Sequence, residues 1–349
     1  MTSMGQGSGV RGQGSGLLRL VLLSAVLVMA LLPQPTAAYL KLGANADGRT
    51  IDLAWPARTA VRYFVHDAGA ADVSASQFRD AIGRAFETWE SVDTASVTFE
   101  FAGFVGGSPL EDDGINVLGF ASRPDLDRTL ASTSFLIDTR TGEIVESDIF
   151  FNTSFDWSVA PSGEAGRFDV QSIATHEAGH FLGLGHSALG ETEVESGGGR
   201  RLIASQSVMF PIAFMAGNVV DRELTADDIA GVSDIYPDGS FRRETGTLHG
   251  TVRKGGAGVF GAHVVAFNPM TGDLVGGFSL EDDGRFVIAG LEPGSYIVRV
   301  EPLDDGDLDS FFDDTAGVDS EFLPAFYPRF VTVPREGASQ SIEITVTPK

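Results

Sequence analysis

His176-Glu177-Ala178-Gly179-His180-Phe181-Leu182-Gly183-Leu184-Gly185-His186 places three imidazoles and one carboxylate in eleven positions. Four residues of an α-helix advance about 400°, so His176 and His180 project from nearly the same side and can grip one ion together. Gly183 and Gly185 accept backbone angles closed to other residues, which lets the helix stop and the chain swing His186 round as a third ligand. Three neutral nitrogens leave a fourth position for water. That open tetrahedron is the coordination of a catalytic zinc, whereas structural zinc usually has four protein ligands, commonly cysteines, and this chain has none. Glu177, directly after the first ligand, is placed to take a proton from the bound water and pass it to a leaving amine.

The remaining histidines are read differently. His66, His249 and His263 sit in strand-like or surface contexts without metal-ligand spacing, and the reading for them is structural.

The motif resembles that of the metzincin metallopeptidases, H-E-x-x-H-x-x-G-x-x-H followed by a Met-turn. Ser207-Val208-Met209-Phe210-Pro211 is similar to that turn, which implies that Met209 forms an apolar floor beneath the imidazoles without ligating. Gly183 to Ser187 and Leu224-Thr225-Ala226-Asp227-Asp228-Ile229-Ala230-Gly231 resemble the matrixin branch, where acids such as Asp227 and Asp228 brace the Met-turn. The implied activity is endopeptidase hydrolysis of peptide bonds in proteins or peptides, with one catalytic Zn2+ on His176, His180 and His186, Glu177 as general base and no covalent intermediate. One departure stands at Ser147 to Asn152: relatives often carry a histidine there for a second zinc, and Phe150 cannot coordinate one. Two rivals are a noncatalytic secreted adhesion protein with a structural metal, and a peptidase specialised for one partner. A merely structural site has no use for Glu177.

Thirteen residues from Leu20 to Leu32 are apolar apart from Ser24, too short to span a bilayer. Arg11 and Arg19 precede them and Thr36-Ala37-Ala38 follow, the pattern of a secretory signal (residues 1–38) cut near Ala38, which predicts a secreted protein, extracellular or periplasmic, with no transmembrane segment in the mature chain. A net charge of −24 with three lysines repels phosphate backbones, so nucleic acid is excluded as a partner. With no cysteine there is neither a disulfide nor the thiol that keeps family zymogens inactive.

The expected fold class is α+β: a metzincin catalytic domain over 39–238, with a twisted mixed sheet and an active-site helix, then an antiparallel β-sandwich over 245–349. Val61 to Val65 reads as the first strand, and 97–101 and 115–120 as further ones. Either 132–138 or 143–152 forms the sheet's edge. Phe78, Ala81, Ile82, Ala85, Phe86 and Trp89 recur at helical spacing after a Ser74/Gln77 capping box, and Asp169 caps the helix that carries His176. Gly190 to Arg201 reads as an inserted surface loop. Phe210, Pro211 and Phe214 either line a specificity pocket or belong to the core. Beyond Pro237, seven short candidate strands (246–252, 262–267, 276–280, 284–288, 295–300, 329–333 and 341–346) predict the sandwich. Gly284-Arg285-Phe286 with Gly290 to Tyr296 resembles carboxypeptidase-regulatory-like, transthyretin-like domains, which carry no chemistry of their own. Ca2+ is kept as a second cation candidate at Asp148 and Asn152 and at Asp304 to Asp314, where six aspartates fall in eleven residues, although no EF-hand spacing supports it.

Overall fold

A computed structural model describes residues 41–46, 49–196, 199–312 and 314–349. The signal-peptide expectation for residues 1–38 lies outside them. The first half is built on a five-stranded sheet of β1 (Val61–His66), β2 (Phe99–Val105), β3 (Val117–Ala121), β4 (Ala131–Ile137) and β5 (Ile144–Asn152), in the order β2-β1-β3-β5-β4. All neighbours run parallel except β4, which pairs antiparallel with β5. The edge left open in the sequence reading is therefore 131–137, and 144–152 is internal.

Helix α1 (Ala75–Glu90) begins at the expected Ser74/Gln77 capping box and buries the six residues of its apolar stripe. The stripe closes on sheet aromatics: Phe78 meets Phe120 and Phe151 with ring centroids 4.7 and 5.0 Å apart, and Phe86 meets Tyr63 at 4.7 Å. Helix α2 (Val170–Phe181) carries His176, Glu177 and His180. Asp169 caps it, accepting from Ser172 N at 2.8 Å, and is itself held by the Arg222 guanidinium at 2.6 Å. Trp89 Nε1 donates to Thr175 O at 2.9 Å, which ties the two helices together through a buried contact.

The hairpin β6 (Gly190–Val194) and β7 (Arg200–Ser205) replaces the loop expected over 190–201; its short connection makes the two arms antiparallel, with Glu193 and Arg201 opposite each other as an ion pair. Helix α3 (Ala226–Ile235) follows.

Strands then dominate, as β8 (Gly246–Lys254), β9 (His263–Phe267), β10 (Leu274–Phe278), β11 (Arg285–Leu291), β12 (Gly294–Glu301), β13 (Val331–Val333) and β14 (Ile342–Pro348). They form two sheets, one centred on β8 and the other on β9 and β12. Two pairings depart from the expected antiparallel pattern, both on β8: Gly246 and Thr247 run parallel to Gly337 and Ala338, as the rest of β8 does to β14. β14 runs parallel to β8, because the intervening chain crosses to the second sheet and returns, and such a crossover is what a parallel pair requires. Leu248, Val252, Phe286, Ile288, Val298, Val300 and Ile344 join the same buried cluster as α1 and α2, so one apolar core runs through both halves. Among the described residues no helix is long and apolar enough to cross a membrane.

Candidate active site

The end of α2 decides where the third imidazole goes. Gly183 adopts φ +94°, its N–H bonds to His180 O at 2.6 Å, and Leu184 N bonds to Gly179 O at 3.0 Å. These are the two crossed bonds of a Schellman cap, which require a left-handed residue just past the helix. Gly185 is not left-handed, so a single glycine performs the turn that the sequence suggested for two. A side chain at 183 is also blocked, since its Cβ would lie 2.3 Å from Leu53 O. The last helical carbonyls find outside partners: Trp55 Nε1 donates to Phe181 O at 2.7 Å and the Tyr236 hydroxyl to Leu182 O at 2.8 Å.

The ring nitrogens of His176, His180 and His186 that face inward all lie within 4.8 Å of one another. Each outer nitrogen meets a carbonyl: His176 Nδ1 meets Val208 O at 2.7 Å, His180 Nδ1 meets Leu184 O at 2.8 Å and His186 Nδ1 meets Ser310 O at 2.5 Å. A carbonyl only accepts, so each Nδ1 carries the proton and each Nε2 presents a lone pair. His180 Nε2 and His186 Nε2 then face each other at 3.1 Å with no proton between them. Burial, with mutual repulsion, holds the pKa of His176 and His186 far below the usual imidazole range, and burial lowers His180 to about 4, so protonation does not resolve the contact at neutral pH. A shared cation does. A tetrahedral ion with bonds of about 2.0–2.1 Å spaces its nitrogens at roughly 3.3 Å, and three neutral imidazoles are a zinc donor set. His176 Nε2 and Glu177 Oε1 are buried without a hydrogen-bond partner, as expected of atoms turned toward an ion and its water.

Glu177 is fully buried, which pushes its carboxyl up to about 8, opposed by the Thr133 hydroxyl that donates to Oε2 at 2.6 Å. Thr133 lies on the edge strand β4 and was not singled out from sequence; a hydroxyl in a strand has no spacing that announces its partner. Val208 O, Leu184 O and Ser310 O were equally invisible, because every residue has a carbonyl.

Met209 packs against the helix that carries His176 and His180. A Cβ on Gly179 would come within 2.2 Å of Met209 Sδ, so α2 and the turn touch at the one helical position without a side chain. The two aspartates after Thr225 both bond to the turn. Asp228 accepts from Ser207 Oγ at 2.6 Å, Val208 N at 3.0 Å and Met209 N at 3.3 Å, and so braces the turn. Asp227 accepts from Gly276 N on β10 at 2.8 Å and is also hydrogen-bonded to the hydroxyls of Ser187 and Ser207, so it reaches both the turn and the strand beyond it. Phe210 is buried in the core, with Gly190 packed flat against its ring.

The other candidate positions do not join the triad. Phe150 is buried, with the Arg123 guanidinium 5.5 Å from its ring centre. Asn152 donates to the carbonyls of Arg123, Leu126 and Thr129 and accepts from Arg123 N and Ser154 N, so its amide braces the 123–129 loop and has no oxygen to spare for calcium. Asp148 accepts from Val117 N at 2.7 Å, and burial raises its carboxyl to about 8. In the aspartate-rich segment, Asp305 binds Thr192 N at 2.8 Å and Asp307 lies 3.7 Å from the Arg200 guanidinium, so those two acids tie chain segments together. His263 pairs with Glu301 at 3.1 Å, away from the triad.

Residues 54–192 match the matrixin family model, a span that includes Glu177 and all three histidines and ends before Met209. That part of the chain is matrixin-like. It is similar to metalloendoproteinase 1 of Glycine max, 29% identical over 171 residues, which are 46% of this chain and 45% of that protein. Metalloendoproteinase 1-MMP of Arabidopsis thaliana is 30% identical over 162 residues, covering 46% of this chain and 35% of the relative. Matrilysin of Rattus norvegicus is 34% identical over 89 residues, 26% of each chain. The match spans less than half the length of each of these relatives. Matrixins are zinc-dependent, and the donor set of this matrixin-like site fits that ion.

Proposed function

We propose that the chain is a secreted zinc endopeptidase that hydrolyses peptide bonds in proteins, with His176, His180 and His186 as ligands and Glu177 as general base. The observation that carries this reading is the pair of imidazole lone pairs facing each other at 3.1 Å beside an unpartnered carboxylate oxygen. The names of the plant relatives, metalloendoproteinases, support it. A zinc ion bound there supplies a Lewis acid that polarises the scissile carbonyl and acidifies water. The chain's own residues do the rest. Carbonyls of Val208, Leu184 and Ser310 fix each ring's tautomer, Glu177 Oε1 receives the proton, and Thr133 holds Oε2 so that Oε1 stays turned to the site. Strand β4 ends the sheet beside the triad, and an extended substrate there would add to it through main-chain bonds, with little demand on side chains.

We assign residues 1–38 to the export signal, 39–238 to the peptidase and 245–349 to a β-sandwich of the carboxypeptidase-regulatory type. The alternating burial along β8, β12 and β14 supports the sandwich.

Zinc content and cleavage of an unfolded protein, measured on the purified chain before and after chelation and zinc return, test the reading. One zinc per chain with reversible loss of cleavage is expected; zinc bound without cleavage by the native chain would favour an adhesion protein. A finer test is Thr133→Val. The hydroxyl stabilises the charged carboxylate, so its removal raises the Glu177 pKa, the base is deprotonated only at higher pH, and the acidic limb of the pH–rate profile moves up. A hydrogen bond to a charged group contributes about 1.5–3 kcal/mol, so activity at neutral pH should fall roughly tenfold or more. An unmoved acidic limb would separate Thr133 from the base.

A further inference from the structure

We propose that the backbone carbonyl of Ser310 is a positioning group for His186, so that the metal site is completed by the C-terminal half of the chain. The proposal rests on the reading of the triad as a zinc site. His176 and His180 draw their outer partners from nearby structure, Val208 of the Met-turn and Leu184 at the end of their own helix. His186 leaves that helix on irregular chain, and its Nδ1 meets Ser310 O at 2.5 Å across 124 residues of sequence. Without that acceptor, a neutral imidazole is free to move its proton to Nε2, and in that tautomer the nitrogen facing the ion has no lone pair to give.

The carbonyl is held in place by its own surroundings. A 3-10 turn over Leu308–Ser310 is closed by Ser310 N to Asp307 O at 2.9 Å and Phe311 N to Leu308 O at 3.0 Å. The next side chain, Phe311, is buried with Phe278, Leu303 and Ala188, the last only two residues after His186. On the other flank Asp305 accepts from Thr192 N at 2.8 Å, and its carbonyl accepts from Thr192 Oγ1 at 2.8 Å. The segment from 303 to 311 is therefore fastened to 186–192 at both ends, with the His186 contact between the fastenings.

The test is zinc affinity of the full-length chain, measured by competition with a chromophoric chelator. Phe311→Asp puts a charge in the apolar anchor and should displace Ser310, raising the zinc Kd by about 10–100-fold, the usual cost of losing an outer partner of a ligating histidine. It should also alter the visible spectrum of the cobalt-loaded protein and shrink the rise in Tm that zinc produces. Phe311→Leu keeps the anchor and should restore all three. Should Phe311→Asp fail to fold, Asp305→Ala, which removes the carboxylate bond of the far fastening and leaves its carbonyl bond, is expected to weaken zinc binding severalfold. A packing role alone would lower the Tm of the metal-free and zinc-loaded forms equally. Zinc Kd and cobalt spectrum unchanged in folded Phe311→Asp, or unchanged in Asp305→Ala where only that variant folds, would overturn the proposal while leaving the zinc site intact. A native chain that binds no zinc would instead sink the reading beneath it.

Discussion

Glu177→Gln is expected to keep zinc and lower kcat/KM on an unfolded protein substrate by about 10²–10⁴-fold, the range general base catalysis contributes. Glutamine has the shape of glutamate and its oxygen still accepts from Thr133 Oγ1, so the local geometry should hold. What disappears is the basic oxygen at the position of Oε1, the atom that has no partner inside the protein. The same change has an opposite effect on stability. The buried carboxyl titrates near 8 in the metal-free fold, above its ordinary value, so the native state holds its proton more tightly than the unfolded chain does. Its favourable contribution is present at acidic pH and is lost as pH rises through about 8. Metal-free Glu177→Gln should therefore unfold at higher temperature than the metal-free native chain at pH 8, with the gap closing on acidification. Native-like cleavage by the zinc-loaded variant would remove Glu177 from the chemistry.

Gly179→Ala should cost stability in a helix where alanine ordinarily helps. In a helix interior the exchange gains up to about 1 kcal/mol from propensity. Here the new methyl would meet Met209 Sδ at 2.2 Å and Trp89 Cζ2 at 3.0 Å, both in the buried core. Overpacking of this kind costs about 1–3 kcal/mol, so the net expectation is a loss of up to about 2 kcal/mol, together with weaker zinc binding as the turn shifts. Met209→Ala empties the contested space. In that background Gly179→Ala should become stabilising, and a coupling above about 1 kcal/mol in the double-mutant cycle would identify the contact. Additive effects would mean that helix and turn do not meet as described.

How much of this was readable beforehand follows from how local each signal is. The capping box at Ser74, the stripe along α1 and the Asp169 cap are short-range patterns, and they appear where the residues put them. The triad could be read because two ligands are set by helical pitch and the third by Gly183. Pairing partners were harder. Which strand closes the sheet depends on order, not on content, and residues 131–137 and 144–152 are both apolar enough to be internal. Neighbouring Asp227 and Asp228 look alike in sequence and differ only in what lies on each side of α3. The hairpin over 190–205 read as a loop because it is polar and Gly-rich, and its place is fixed by contacts to Asp305 and Asp307 more than a hundred residues away.

The tie between His186 and Ser310 also sets an order of events during synthesis. A nascent chain that has emerged only as far as the Met-turn already holds all three rings, yet its last ring has no acceptor until residue 310 is made and folds back. Contacts so distant in sequence form late, after the cost of closing the loop has been met. The one ring without a local acceptor thus waits for a segment made 124 residues later before its tautomer is fixed.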